Sequence, residues 1–388
     1  MINRRIFIFV ILMIVLSGCI PSFESEEEKI EEIKEEEDQL IILPNIKTAE
    51  EYYQTVLPYE HSEARGLILY GLNSRLDIDE LEIGLMRLAQ DTFSPEKYFF
   101  QEGQLLSGNV VNNWLKRKDA HELGLNPAVN ILPEDTWQEK INKNKEKPSY
   151  LSYILEHNYL VKKEEGVVEL GGVVLGVSLN SIFYIDVYDD ARLKHFDHVV
   201  LNDEEIEKQG KIIAGKIAQR VRSMPNMVDV PIIIGLFKEA PKSSVIPGSF
   251  IAMTVVEPGK SSIASWKAIN EKYVLFPSSD AAKTDTTMSN QFEQFKEKID
   301  EFFPNYVGII GKGFYKDDNL QRLVIDIPIQ FYGKTEIISF TQFVTALMMN
   351  GTFPNDILIE VNISSLQGAE SLIVVKPGEK DPLVHIYR

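Results

Sequence analysis

The chain has 388 residues, 44% of them hydrophobic, with 58 acidic side chains against 40 basic ones and a formal charge of −18. That length is enough for roughly two or three domains with ordinary cores, and a single cysteine excludes an internal disulfide framework. A body this acidic repels nucleic acid phosphates and anionic lipid head groups, which argues against electrostatic binding to either.

Arg4 and Arg5 precede Ile6 to Leu16, a run without one polar side chain, and then come Ser17, Gly18 and Cys19. A basic start, a short apolar stretch and small residues at a cleavage point make residues 1–18 a secretory signal peptide. Cysteine directly after the small pair turns Leu16-Ser17-Gly18-Cys19 into a lipobox. The Cys19 thiol is the nucleophile for a diacylglyceryl transferase, and lipoprotein signal peptidase is expected to cut between Gly18 and Cys19. The alternatives are a buried free cysteine and an uncleaved anchor, for which the apolar run is far short of the ~20 residues a spanning helix needs. The expected location is the outer face of the cell membrane. Diacylglycerol and palmitate on Cys19 would hold the protein to membrane lipid.

Residues 19–45 read as a disordered acidic stalk. From Glu24 to Asp38 the only bases are Lys29 and Lys34, and like-charge blocks stay extended and solvated. A calcium or cationic-partner patch is the functional alternative.

Residues 46–147 are expected to be helix-rich. Thr48-Ala49-Glu50-Glu51 has the pattern of a capping box. A helix from Asp77 places Ile78, Leu81, Leu85 and Leu88 on one stripe, and Asn109 to Lys118 suggests a shorter one. Arg65 to Leu72 reads as a strand or buried extended segment. The lysine- and asparagine-rich stretch up to Pro148 reads as a loop or partly ordered connector.

The remainder suggests an α+β fold of two tandem strand–helix–strand–strand repeats, residues 148–277 and 291–388, joined by a linker at 278–290. In the first, strand Leu170–Asn180 leads to helix Asp203–Ser223, with Ile206, Ile213, Ile217 and Val221 on one side. Strands Val230–Phe237 and Ser249–Val256 follow. In the second, helix Gln291–Phe303 precedes strand Gln321–Tyr332, whose Leu323, Ile325, Ile327, Ile329 and Phe331 alternate with polar residues. Helix Glu336–Asn350 and strands Asp356–Ile363 and Ser371–Lys376 complete it. Each unit closes on a similar run, Val255-Val256-Glu257-Pro258-Gly259-Lys260 and Val374-Val375-Lys376-Pro377-Gly378-Glu379. Ordinary turn chemistry is the competing explanation.

Motifs for chemistry are sparse. His195 and His198 are spaced to share a helix face with Asp189 or Asp190 nearby, but no HExxH or CxxC framework supports a metal, and a solvated loop is favoured. No GxSxG elbow is present. Gly308 to Gly313 leads into turn residues rather than a helix start, so it reads as a hairpin rather than a phosphate loop. Glu102 with Asp91, and Asp317 with Asp318, are carboxylate pairs with nothing to drive their pKa values apart. Tyr98 to Gln104 reads as a packed strand entering a turn; the alternative is a pocket wall with Gln101 and Gln104 as polar groups. No catalytic residue, metal ligand or cofactor is assigned, and an enzyme is not expected.

Several runs carry a resemblance. Arg65-Gly66-Leu67-Ile68, Leu81 to Leu88 (LEIGLMRL), Tyr98 to Gln104 (YFFQEGQ), Gly124-Leu125-Asn126-Pro127, Tyr150 to Leu160 (YLSYILEHNYL) and Val230-Pro231-Ile232-Ile233 through Phe237-Lys238 are similar to the CamS family of Gram-positive sex-pheromone lipoprotein precursors. The resemblance runs from lipobox to C-terminus and implies two tandem repeats. It also implies that the last signal-peptide residues are released as a short hydrophobic pheromone, which prompts plasmid-bearing enterococci to clump and conjugate. Here those residues are Leu12-Met13-Ile14-Val15-Leu16-Ser17-Gly18, a departure from the family's Ala-Ile-Phe-Ile-Leu-Ala core. No catalytic residue carries over. The expected protein is a non-enzymatic membrane lipoprotein. Its rival is a ligand-binding lipoprotein, a transport receptor or envelope-binding module for a peptide or envelope ligand, which a deep pocket between the repeats would favour.

Overall fold

The computed structural model describes residues 41–42, 52–163, 168–302, 308–330 and 333–388. The signal peptide with its lipobox, Cys19, the Thr48–Glu51 capping box, Phe331 and the acidic stalk apart from Ile41–Ile42 lie outside the described residues; Ile41–Ile42, expected to be disordered, form a short strand antiparallel to Val56–Leu57.

Two six-stranded sheets organise the body. In spatial order the first runs Lys267–Ala268, Ser249–Val256, Ile232–Lys238, Val168–Leu179, Leu151–Lys162 and Tyr98–Glu102. All neighbours are antiparallel except Val168–Leu179 with Ile232–Lys238, which are parallel. A parallel pair needs a crossover; here it comprises the hairpin Ile182–Tyr188 with Lys194–Val200 and the helix Asp203–Arg222. The second sheet runs Glu271–Phe276, Ile310–Lys316, Asn319–Pro328, Leu358–Ser365, Gly368–Val375 and Leu383–Ile386. Its one parallel pair, Asn319–Pro328 with Leu358–Ser365, is joined through helix Lys334–Met349. The order of pairing senses is therefore the same in both sheets. Val256 pairs with Ile232 in the first, and Val375 pairs with Ile359 in the second.

The helices form where capping and apolar spacing coincide. Ser74 accepts a hydrogen bond from the Asp77 amide and starts helix Arg75–Ala89, which buries Ile78, Leu81, Leu85 and Leu88. Asn202 caps Asp203–Arg222, whose Ile206, Ile213, Ile217 and Val221 are buried. The first core gathers these side chains with Val173 and Ile233. A separate core holds Phe292, Phe295, Ile325, Phe340 and Val361.

Four expectations need correction. Arg65–Leu72 is not a strand: a 3-10 turn, Arg65–Leu67, runs into a short helix, Ile68–Gly71. Ile68 and Leu72 are buried while Leu69 and Tyr70 are exposed, a helical rather than an alternating pattern. The connector before Pro148 contains helix Trp137–Glu146, started by a Thr136–Glu139 capping box. The stretch 278–290 is helical rather than a linker: Ser278 caps Ser279–Thr284, and Asp285 receives the Met288 amide at the start of Thr286–Phe302. Finally, Tyr98–Glu102 is the edge strand of the first sheet, while Glu271–Phe276, assigned above to the first repeat, is the edge strand of the second.

Candidate functional site

The strand Leu151–Lys162 is mostly buried along its length, yet it carries Glu156, His157 and Asn158 in a row. Burying such groups costs free energy unless each is hydrogen-bonded. Glu156 is answered by backbone: Oε1 accepts from the amides of Gln104 and Leu105, both at 3.0 Å, and Oε2 accepts from Leu106 at 2.7 Å. Burial raises its carboxyl, while those amides pull it down. The turn they belong to needs Gly103, because a Cβ there would lie 2.5 Å from the Glu156 side chain. His157, 3% exposed, meets the Phe100 ring edge to face at 4.9 Å. Desolvation lowers its pKa to about 3, so the imidazole is neutral. Its Nδ1 has no hydrogen-bond partner among the described residues.

These side chains line a cavity of about 130 Å³, covered by the segment around Tyr59 to Ile68. Glu102, at the end of the edge strand, organises that cover. Oε1 accepts from Tyr59 Oη at 2.8 Å and from Arg65 at 2.9 Å, and Oε2 accepts from the Ser62 amide at 2.8 Å. Tyr153 Oη donates to the Ala64 carbonyl at 2.9 Å. Glu82, half-buried on helix Arg75–Ala89, completes the charged lining; burial raises its carboxyl, with Arg65 pulling the other way.

A second buried cluster lies where the parallel strands of the first sheet end. Glu239 accepts from Asn73 at 2.8 Å, from Ser178 at 2.9 Å and from Ser152. Burial pushes its carboxyl up to about 7, with the Asp77 charge adding to the effect. Asp77 accepts from the amides of Gly248 at 2.7 Å and Ala240 at 3.3 Å through Oδ1, and Oδ2 has no partner among the described residues. The cluster ties the start of helix Arg75–Ala89 to the 239–248 loop.

A third joins the two sheets. One Arg87 nitrogen lies 2.6 Å from Glu80 and 2.8 Å from Glu271, and Tyr273 Oη donates to Glu80. Burial drives Glu80 up against the pull of Arg87. Desolvation of Arg87 is outweighed by the two carboxylates, which hold the guanidinium above its ordinary range.

The residues singled out from sequence fall elsewhere. His195 and His198 occupy a strand, on opposite faces. His195 stacks on Trp137 at 4.0 Å and pairs with Asp189 at 2.9 Å. Among the described residues no group of three or more His, Cys, Asp or Glu is placed to hold a metal ion. Gly311 to Lys316 belongs to a hairpin, as read, whose turn residues Asp317 and Asp318 have φ of 51° and 61°. Asp91 pairs with Lys267 rather than with Glu102. Gln101 and Gln104 reach Glu60, while Phe100 and Glu102 of the same run line the cavity. Sequence reading missed Glu82, Glu156, His157, Asp77 and Glu239. The one available signal was the polar triplet inside the apolar Tyr150–Leu160 run.

Among the described residues no helix is long and apolar enough to cross a membrane. No curated protein matches the chain. A sex pheromone precursor from Lactobacillus salivarius subsp. salivarius UCC118 is 30% identical with a TM-score of 0.79, over 90% of this chain and 99% of that one. The C-terminal domain of the staph-cAM373 sex pheromone precursor from Staphylococcus aureus is also 30% identical, with a TM-score of 0.68, over 82% of this chain and 98% of that one. The family model of the CamS sex pheromone cAM373 precursor matches residues 59–381. The chain therefore belongs to the CamS sex pheromone precursor family.

Proposed function

We propose that this chain is exported as a precursor, cut after Gly18 and anchored through lipid on Cys19, and that Leu12 to Gly18 is the source of a hydrophobic peptide. The observation that carries this is the run Leu16-Ser17-Gly18-Cys19 directly behind an uninterrupted apolar stretch, in a chain of this family. The body is non-enzymatic in this reading. Two acyl chains hold a protein to a bilayer where one gives only marginal attachment, so Cys19→Ala should appear in the medium or as uncut precursor. A processed, membrane-bound Cys19→Ala form would contradict the anchor. The peptide's departure from the family core changes several buried methylenes at ~0.8 kcal/mol each. Synthetic Leu12–Gly18 peptide should therefore clump plasmid-bearing responder cells weakly or not at all. Full activity would overturn that expectation.

The common pairing order of the two sheets supports reading them as tandem copies of one module. Superposing 150–262 on 291–382 should bring Val255-Val256 onto Val374-Val375; an offset register would contradict it. A second reading, that the body binds a ligand, is favoured by the 130 Å³ cavity and its convergent polar groups. That cavity lies within the first sheet's half, not between the repeats.

A further inference from the structure

The lining of this cavity selects a ligand class, an inference that deepens the ligand-binding reading and rests on it. Its charge is unbalanced: Glu82, Glu102 and Glu156 line it against one guanidinium, Arg65, which is already held by Glu102 at 2.9 Å and by His61 at 2.7 Å. Glu102 is saturated by three donors, whereas Glu82 makes no hydrogen bond among the described residues. Tyr59, Phe100 and Tyr153 bring aromatic surface to the same space. Aromatic faces and a carboxylate without a hydrogen-bond donor attract organic cations and repel anions. His157 is neutral. The volume, about 130 Å³, compares with engineered apolar cavities of ~150 Å³ that take benzene.

We infer that this cavity binds a small organic ammonium ion, a protonated primary amine on an apolar body of about one ring in size, with Glu82 as its counter-ion. Such a group exists on free amines and at the N-terminus of apolar peptides.

Calorimetric titration of the full chain in detergent at neutral pH, with benzylamine, benzyl alcohol and phenylacetate as probes, tests this. Benzylamine should bind saturably, benzyl alcohol roughly tenfold more weakly, as expected for loss of one desolvated charge pair, and phenylacetate not at all. Glu82→Gln should reduce benzylamine affinity by the same factor and leave benzyl alcohol unchanged. The ranking of the three probes on the unmodified chain needs no variant. Equal or tighter binding of the alcohol or the acid would overturn the cation assignment while leaving a ligand site standing. Binding of no probe would remove both readings, and benzylamine binding indifferent to Glu82→Gln would overturn the counter-ion and with it the proposal. Leucyl-leucine amide and its N-acetyl form separate the sources. Displacement of benzylamine by the free form alone identifies a peptide N-terminus, and displacement by neither identifies a free amine. Displacement by both would show that the charge is not read, which contradicts the inference.

Discussion

The half of the body built on the first sheet and the half built on the second pair their strands in the same order, yet their interiors differ in kind. Asp77, Glu80, Glu156, His157, Arg222 and Glu239 are buried in the first. In the second, the buried polar groups among the described residues are Glu271, at the junction, and the hydroxyls of Thr341 and Ser371, which bond each other at 2.8 Å. Strand order and crossover helix are thus compatible with an almost wholly apolar core. The ionisable groups of the first half are not a requirement of the topology, and they burden its stability. Their concentration around a cavity and a junction locates the half in which to look for binding.

That contrast can be broken or sharpened by substitution. Glu156→Ala should be the most damaging change, at about 4 kcal/mol, because it strands the three amides of the Gly103 turn without acceptors. In the second half only removal of a large core side chain, such as Phe295→Ala, should cost as much, about 3–5 kcal/mol; urea midpoints measure both. Arg87→Ala leaves Glu80 and Glu271 buried and unpaired, at about 3 kcal/mol. It should also separate the unfolding of the two halves into two calorimetric transitions, since this arginine bridges them. Lys312→Ala removes a partly exposed ion pair with Asp326 in the second half and should shift the urea midpoint by no more than about 0.5 kcal/mol. A loss above 2 kcal/mol there would show that the second half also depends on charge.

Periodicity and capping made much of this fold legible. The stripe Ile78, Leu81, Leu85, Leu88, the helix after Asn202 and the alternating strand residues Leu323, Ile325 and Ile327 are where spacing placed them. Segments were misread where a cap was overlooked, as at Ser278 and Asp285, or where a short apolar run had two possible periods, as at Arg65–Leu72. The site was legible only in fragments. Phe100 and Glu102 stand in a run read as a packed strand, with a pocket wall as the alternative, but Glu82 reads as one more polar position on an amphipathic helix, and Glu239 as a loop residue. Their meaning comes from contacts such as Asn73 with Glu239, across 166 positions of chain, which spacing does not reveal. Asn126 is similar. It belongs to a recognisable run, but its role is to bond the Leu115 and Leu151 carbonyls and the amides of Tyr150 and Leu151.

The most direct test is hydrogen exchange of the two sheets as a function of pH, with intrinsic rates corrected, because exchange resolves the opening of separate cores. Glu239 has its folded pKa raised from 4.5 to about 7. Its stabilising contribution is therefore full below about pH 4.5 and is lost as pH rises through 7, by about 3 kcal/mol in all. Between pH 5 and pH 8 the amides of Val173 to Leu179 should lose most of that protection, those of Leu323 to Ile327 should keep theirs, and Glu239→Gln should shrink the difference. Equal losses in both sheets would contradict the confinement of ionisable interior to the first half, and a loss undiminished by Glu239→Gln would contradict its assignment to Glu239.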